Sequence, residues 1–425
     1  MRKIILFLGD TIMFVLAGFA MLLLRFGIHV SSPIIEAHIQ AFIALYVLWQ
    51  IILYICNLYD FEFIKPSFES IRNLLLAISI SLVSGFLLFY FVHFPVTPKT
   101  NLLLLALSYG VLLFAWRNIY FSIFAHNFKK HIAFIGNAPL ANTLIEEIGR
   151  HPHLGYAYEG TYESVAELIA TGRTIDIVVY GKQIESSELA HLIANQSHVL
   201  DLRQAFQNIL HRVPVVLMND TLALRIVENR DTDLYEFLVR GIEIILALCI
   251  LVLTSPLLLL AAIAIRIEDS RSIFYKQERV GRHGKRFSII KLQSMYTNAE
   301  KNGAQWATHN DSRITPVGKI LRITHIDEIP QMWNVLKGDI ALVGPRPERP
   351  EFVEKLDKEI PYYFLRHTIK PGFTGWAQIK FRYARSVMDS QEKFEYDLYY
   401  VKNRNFFLDI GIILKTIQIV FTHGV

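Results

Sequence analysis

Apolar residues in the first part of the chain fall into four long blocks, at 4–26, 38–58, 74–94 and 102–124, divided by short polar segments. Each block is close to the roughly twenty apolar residues that cross a bilayer as a helix. The pattern therefore predicts four transmembrane helices within residues 1–128. The first block is too long, and too poorly followed by small residues, to be a cleaved signal peptide. Arg2, Lys3, Lys65, Arg72, Lys129 and Lys130 stand on one side of the blocks, and only Arg25 and Lys99 on the other. Lysine and arginine collect on the cytoplasmic side, which puts the N-terminus and the chain after residue 125 there. Asp10, inside the first block, is expected to reach the headgroup region.

From residue 129 the apolar runs become short. Residues 131–135 read as a buried strand ending at Gly136, residues 140–149 as a helix and residues 175–180 as a second strand. That order predicts a small doubly wound, Rossmann-like α/β domain over 129–230. A dinucleotide site would want three glycines in the first turn, so that backbone can approach pyrophosphate. Only Gly136 is present, with Pro139 close behind, and a regulatory or spacer role is expected instead.

A further apolar run covers 238–265, with Arg240 and Glu243 near its start. At about 40 Å of helix it could cross completely. Two features favour a helix that dips in and returns. Arg225, Arg230 and Arg240 precede it while Arg266, Arg271, Lys276 and Arg279 follow, so neither flank is marked as external. Ser255-Pro256 interrupts the run, and proline there removes a helical hydrogen bond and bends the axis.

Composition fits this organisation. Of 425 residues, 52% are hydrophobic and 12% aromatic, and the mean hydropathy is +0.33. Lys and Arg number 43 against 38 Asp and Glu, a net charge of +5. So mild an excess suits a membrane surface or an anionic substrate and makes no case for nucleic acid. Cys56 and Cys249 both lie in apolar runs, where they are expected to pack as small hydrophobes.

The residues that carry chemistry lie after this run. Asp327 and Glu328 precede Pro330, which a first helical turn tolerates. A helix is expected from about Ile329, with Ile329, Met332, Trp333 and Leu336 on its apolar face. Two adjacent carboxylates at the positive end of a helix can share a magnesium ion. An aspartate can also attack phosphorus to give an acyl phosphate. Arg322 lies five residues ahead of Asp327, and Arg346 is set between Pro345 and Pro347. Rigid arginines pair with phosphate oxygens and neutralise their charge. Upstream, Lys276, Arg279, Arg282, Lys285, Arg286 and Lys291 surround Gly281 and Gly284 in a basic, loop-rich approach. It suits bound phosphate or acidic lipid headgroups equally well. Taken alone, Asp327 and Glu328 would read as ordinary acids at a helix start; their basic company turns the reading toward phosphate chemistry, which also favours a cytoplasmic site. Asp231-Thr232-Asp233 matches a metal-holding Asp-x-Asp but is read as charged linker.

From about Val239 the chain resembles the bacterial sugar transferase family, the polyprenyl-phosphate hexose-1-phosphate transferases of the large monotopic type. The resemblance rests on Ser255-Pro256, Tyr275-Lys276-Gln277-Glu278-Arg279, Asp327-Glu328-Ile329-Pro330-Gln331, Asn334-Val335-Leu336-Lys337-Gly338-Asp339, Val343-Gly344-Pro345-Arg346-Pro347, Lys370-Pro371-Gly372-Phe373-Thr374-Gly375-Trp376 and Asp397-Leu398-Tyr399-Tyr400. It implies a membrane protein of mixed class: a four-helix transmembrane bundle, the doubly wound α/β domain, and an α-rich catalytic domain at 235–425 on a re-entrant helix at 238–265, kinked at Ser255 and Pro256. It further implies transfer of hexose 1-phosphate from a UDP-sugar to undecaprenyl phosphate, starting exopolysaccharide or O-antigen repeat units. Asp327 would be the nucleophile, Glu328 would assist, and the two would hold Mg2+. Lys291, Arg322 and Arg346 match positions near phosphate, and Arg382 and Asp397 positions near the nucleotide-sugar. Location at the cytoplasmic face of a bacterial inner membrane is implied, and a homodimer allowed. Alternatives are a UDP-N-acetyl-sugar donor and a non-catalytic scaffold for polysaccharide assembly. Glu243, Gln293 and Phe381 depart from the residues usual in the family, and Phe381 bears on the role of Arg382.

Overall fold

The structure, a computed structural model, describes residues 2–28, 30–56, 58–59, 68–92, 94–96, 99–124, 129–136, 139–150, 154–181, 185–194, 198–228, 233–268, 272–296, 311–381 and 386–422. The chain forms two compact units, Met1–Leu202 and Arg203–Val425.

In the first unit, α1 (Arg2–Phe26), α2 (Ser32–Ile55), α3 (Phe68–Phe91) and α4 (Lys99–Phe124) are long and apolar enough to cross a membrane. They begin a few residues before the apolar blocks, as at Ser32-Pro33, where proline occupies the first helical turn. Leu6, Phe14, Met21, Leu45, Trp49 and Tyr109 fill their shared core. Ile12, Phe19, Leu75 and Val111 point outward, each more than half exposed, an arrangement that suits lipid rather than water. Asp10 departs from expectation. It is fully buried and pairs with Arg117 of α4 at 2.7 Å, so its carboxylate faces the interior of the unit.

The rest of this unit is a parallel sheet. Strands β1 (Lys130–Ile135), β2 (Tyr156–Tyr162), β3 (Ile177–Tyr180) and β4 (His198–Asp201) lie in the order β2-β1-β3-β4. The central strands β1 and β3 are buried over four residues each, as parallel strands with covered faces require. Helices α5 (Pro139–Arg150), α6 (Val165–Ala170) and α7 (Ser186–Ala194) connect them. Gly136, at φ 82°, makes the turn after β1.

The second unit holds α8 (Leu202–Ile209, starting at the boundary), α9 (Asp220–Glu228) and the long α10 (Asp233–Glu268). An antiparallel hairpin follows, β5 (Phe274–Val280) and β6 (Arg286–Leu292), where a basic loop was expected. Exposed and half-buried positions alternate along β5, with Lys276 at an exposed position and Arg279 at a half-buried one. Next come α11 (Pro316–Ile323), α12 (Met332–Lys337), β7 (Ala341–Val343), α13 (Pro350–Glu359), β8 (Gly372–Thr374), α14 (Trp376–Lys380), α15 (Val387–Asn403) and α16 (Phe406–Thr422). Strands β7 and β8 pair in parallel. Met332, Val335, Tyr363, Phe394, Leu398 and Ile412 centre the core, which also takes Val213, Val215 and Ile226 from the segment ahead of α10.

Both ends of α10 are tied to this unit. Arg240 donates to the carbonyls of Val335 and Leu336 at 2.7 and 2.8 Å, closing the C-terminus of α12. Glu243 accepts from the Leu342 amide at 2.9 Å. At the other end Glu268 accepts from the Val317 amide at 2.9 Å, and Ala261 and Ile265 pack on Leu292 and Leu321. Between these anchors Leu248, Leu253 and Leu260 are more than half exposed. Pro256 cannot donate to the Val252 carbonyl, and the Ser255 hydroxyl does so instead at 2.8 Å. The carbonyl orphaned by proline is thus satisfied within an apolar helix.

Candidate active site

Helix α11 sets the approach to the acidic pair. Thr315 caps it by accepting from the Gly318 amide at 2.9 Å, with Pro316 in the first turn. A Cβ on Gly318 would run into the Ser294 backbone, so only glycine lets α11 lie this close to the strand extension. That approach brings Arg322 Nε to Ser294 Oγ at 3.0 Å. His325 then adopts a left-handed conformation at φ 56°, and its carbonyl accepts from the Glu328 amide at 3.1 Å.

Asp327 and Glu328 stand in the first turn of a tight 3-10 helix, Ile326–Gln331, that runs straight into α12. Helical structure thus starts three residues before the expected Ile329. The face assignment also changes. Met332 and Val335 are buried while Trp333 is 52% exposed, because the 3-10 turn rotates the following residues relative to a regular α-helix. Asn334, 1% exposed, staples α12 to β6: its side chain accepts from the Ile290 amide at 3.0 Å and donates to the Ser288 carbonyl at 2.8 Å. That bond fixes β6 beside the acidic turn and so aims Lys291.

Glu328 is the anchored acid. Lys291 Nζ lies 2.6 Å and Arg346 Nη2 3.0 Å from the same oxygen, Oε1. Burial works to raise its carboxyl, but the Lys291 and Arg346 charges outweigh burial and hold it well below the carboxylate range. Lys291 in turn is depressed by burial, with Glu328 opposing.

Asp327 is the free one. It is 6% exposed, and no donor among the described residues reaches its carboxylate. Burial and the neighbouring Glu328 charge raise it from 3.8 to about 6, against the pull of Lys291, Arg322 and His325. A buried, weakly solvated carboxylate that is still ionised at neutral pH is a competent nucleophile or metal ligand.

The Arg346 loop is locked from behind. The Gly344 amide donates to the Thr374 carbonyl and the Gly372 amide to the Pro345 carbonyl, both at 2.9 Å. A Cβ on Gly344 would strike the backbone of Lys370 to Gly372. Arg366 donates to the Arg346 carbonyl at 2.8 Å and pairs with Asp397 at 2.9 Å. Asp397 therefore stands one layer behind the acidic pair, 1% exposed, its carboxyl raised by burial. Glu348 joins the same layer, bound by Lys393 at 2.7 Å; burial opposes its charge, but Lys393 and Arg366 bring it down to about 2. Arg279, expected near anion, donates to the Pro347 carbonyl at 3.0 Å and so supports the loop instead.

Of the residues expected at the site, the structure brings Asp327, Glu328, Lys291 and Arg346 together, with Arg322 close enough to act on Asp327. Ser255 and Pro256 lie in the exposed stretch of α10. Arg382 lies outside the described residues. Ser294, Arg366 and Lys393 went unnoticed in the sequence, and Asn334 entered there only as part of a family motif, without a role. Asn334 and Lys393 belong to ordinary amphipathic helices there, and nothing local announces their partners.

No group of three or more His, Cys, Asp or Glu side chains among the described residues could enclose a metal ion. Magnesium does not require one, since it is commonly held by one or two carboxylates with phosphate oxygens and waters completing the shell. Asp327, with no hydrogen-bond donor among the described residues, and the adjoining Glu328 fit that pattern.

A family model described as bacterial sugar transferase matches residues 234–423. The UDP-N-acetylgalactosamine-undecaprenyl-phosphate N-acetylgalactosaminephosphotransferase of Aeromonas hydrophila is 45% identical over 191 residues, 45% of each chain. The UDP-glucose:undecaprenyl-phosphate glucose-1-phosphate transferase of Escherichia coli strain K12 is 32% identical over 319 residues, 68% of this chain and 67% of that one. A putative undecaprenyl-phosphate N-acetylgalactosaminyl 1-phosphate transferase of Bacillus subtilis strain 168 is 46% identical over 138 residues, 32% of this chain and 77% of that one. The chain thus matches less than half the length of the Aeromonas relative.

Proposed function

The chain belongs to the bacterial sugar transferase family, and on that basis we propose that it transfers a sugar 1-phosphate from a UDP-sugar to undecaprenyl phosphate. The observation that carries the reading is the division of labour between adjacent acids. Glu328 is neutralised by Lys291 and Arg346, while Asp327 is buried, without a donor among the described residues, and raised to about 6.

In this reaction an Asp327 carboxylate oxygen attacks the sugar-linked phosphorus. The bond from that phosphorus to the bridging oxygen breaks, and UMP leaves. An oxygen of undecaprenyl phosphate then attacks the same phosphorus, the acyl-phosphate bond breaks, and the Asp327 carboxylate is restored. Lys291, Arg322 and Arg346 present cationic charge where the transferred phosphate gains negative charge. Asp327 and Glu328 would hold Mg2+, which supplies further neutralisation of phosphate oxygens. Glu328 keeps Lys291 and Arg346 in place between the two half-reactions.

The lipid acceptor requires a site at a membrane face. Anchors at both ends of α10, at Arg240 and Glu243 and again at Ala261, Ile265 and Glu268, support a re-entrant helix whose exposed middle enters the bilayer from one side. With α1 to α4 as a transmembrane bundle, the reading would have the acids at the cytoplasmic face of the inner membrane, where UDP-sugars are made. The sheet of β1 to β4 would serve as a regulatory domain.

A second reading concerns the donor. The two relatives sharing 45% and 46% identity are both named for N-acetylgalactosamine, against 32% for the glucose enzyme of Escherichia coli. UDP-N-acetylgalactosamine is therefore the first donor to try. UMP release by the purified protein across a panel of UDP-sugars tests both readings. Release with one donor, abolished in Asp327→Asn, is expected. Absence of release with every donor would favour a non-catalytic scaffold.

A further inference from the structure

The family match begins at residue 234, yet residues 203–228 pack into the core of the second unit. Val213 and Val215 are buried there, as are Leu222 and Ile226. Their polar contacts concentrate on the elements behind the Arg346 loop. The Val213 amide donates to the Glu395 carbonyl at 3.0 Å, and the Val215 amide to Glu395 Oε1 at 2.9 Å. Arg212 pairs with Glu392 at 2.6 Å and reaches Glu395 at 3.7 Å. Lys402 donates to Gln207 at 2.6 Å. All of these fasten the segment along α15.

A further contact reaches α14. Trp376 donates its indole N–H to the His211 carbonyl at 3.0 Å, and its ring stacks on Tyr399 at 5.9 Å. His211 presents that carbonyl from a left-handed conformation, φ 57°, which side chains rarely adopt. Such a conformation persists where surrounding contacts impose it. The next residue back from Trp376 is Gly375, where a Cβ would collide with the Gly344 carbonyl. Gly344 is bonded to Thr374 and stands two residues before Arg346. A continuous set of contacts therefore runs from His211 through Trp376 and the Gly375–Gly344 contact to the loop that carries Arg346.

We propose that residues 203–228 are a positioning strap for the active site, with the His211 carbonyl and Arg212 as positioning groups that hold Trp376 and, through it, the Arg346 loop. This deepens the phosphosugar-transfer reading and rests on it. The functional catalytic unit then begins near residue 203, ahead of the segment that the family model matches.

The test uses the full chain and measures kcat/KM for the UDP-sugar from UMP release, beside the melting temperature. Trp376→Phe keeps an aromatic ring, a smaller one, and removes the donor; Arg212→Ala releases the strap's ion pairs to α15, and Arg212→Lys retains its charge. Loss of one such hydrogen bond should lower kcat/KM about fivefold to tenfold. A fall of that size is expected in Trp376→Phe and in Arg212→Ala, with Arg212→Lys recovering most of it. Because both act through one strap, the double variant should lose less than the product of the two single effects. Melting temperatures that fall while kcat/KM stays within twofold of the parent would make the strap merely structural and overturn the proposal. Multiplicative effects in the double variant would overturn it too. Failure of the parent chain to release UMP from any donor would instead count against the reaction itself, so the two failures are distinguishable.

Discussion

Replacing Asp327 by asparagine should make the protein more stable at the pH where it works, while stopping the reaction. The side chain is 6% exposed and keeps its shape on substitution, so the main change is loss of the charge. Burial first, and then the Glu328 charge, moves its carboxyl from 3.8 to about 6. At 1.36 kcal/mol per pH unit this corresponds to about 3 kcal/mol disfavouring the ionised form in the folded state. The sign follows from linkage. A raised carboxyl contributes stability in its protonated form, fully below 3.8, and that contribution is lost as pH rises through about 6. Asparagine cannot ionise, so the variant should be the more stable protein above this window. For a cooperative unit of this size, about 3 kcal/mol is about 6 to 12 °C in melting temperature. Thermal melts of both proteins in the same detergent, from pH 4 to pH 8, would measure it. The advantage should be largest near pH 7.5 and vanish near pH 4. A variant no more stable than the parent at pH 7.5, or an advantage unchanged at pH 4, would refute the claim that Asp327 is held in an unfavourable charged state.

The same carboxyl sets a pH dependence of rate: kcat/KM for the UDP-sugar should fall about tenfold per pH unit below about 6, as the carboxylate is protonated. A profile flat to pH 5 would remove Asp327 from the rate-determining ionisation. Arg346→Ala breaks one of the two ion pairs on Glu328 and should destabilise the second unit by about 3 kcal/mol; adding Glu328→Gln should restore much of the stability, read by melting, without restoring UMP release. For topology, a cysteine at the exposed Lys285 should resist an impermeant thiol reagent in intact cells and react once they are opened. Labelling in intact cells would show α10 crossing completely.

Much of the architecture is legible because long apolar runs leave few choices. The four N-terminal helices and α10 announce themselves in this way; their starts precede the apolar blocks where polar residues such as Ser32 continue the helix, and α2 and α3 stop a few residues before their blocks end. Strand β2 escaped because it is a half-exposed edge strand with Gly160 inside it. Strands β5 and β6 escaped because Arg279 and Lys291 stand at half-buried positions, where apolar residues would otherwise mark the period of two. In the site, residue types were readable and partnerships were not. Asp327 and Glu328 look alike in sequence; Lys291, from β6, and Arg346, from the loop after β7, make them different. Arg366 with Asp397, and Glu348 with Lys393, are far apart along the chain. They meet only because α15 packs behind that loop, a tertiary fact that local pattern does not encode.

The central claim is that the transferred phosphosugar passes through Asp327. Incubating the purified protein with its UDP-sugar, without polyprenyl phosphate, and digesting it under acid-quenched conditions would allow mass spectrometry of the peptide containing Asp327. The account predicts a mass increase equal to one sugar phosphate less one water on that residue, formed together with UMP, discharged on adding undecaprenyl phosphate, and absent from Asp327→Asn. Steady turnover by Asp327→Asn, or a parent protein that releases UMP only when the acceptor is present and never carries the adduct, would contradict it.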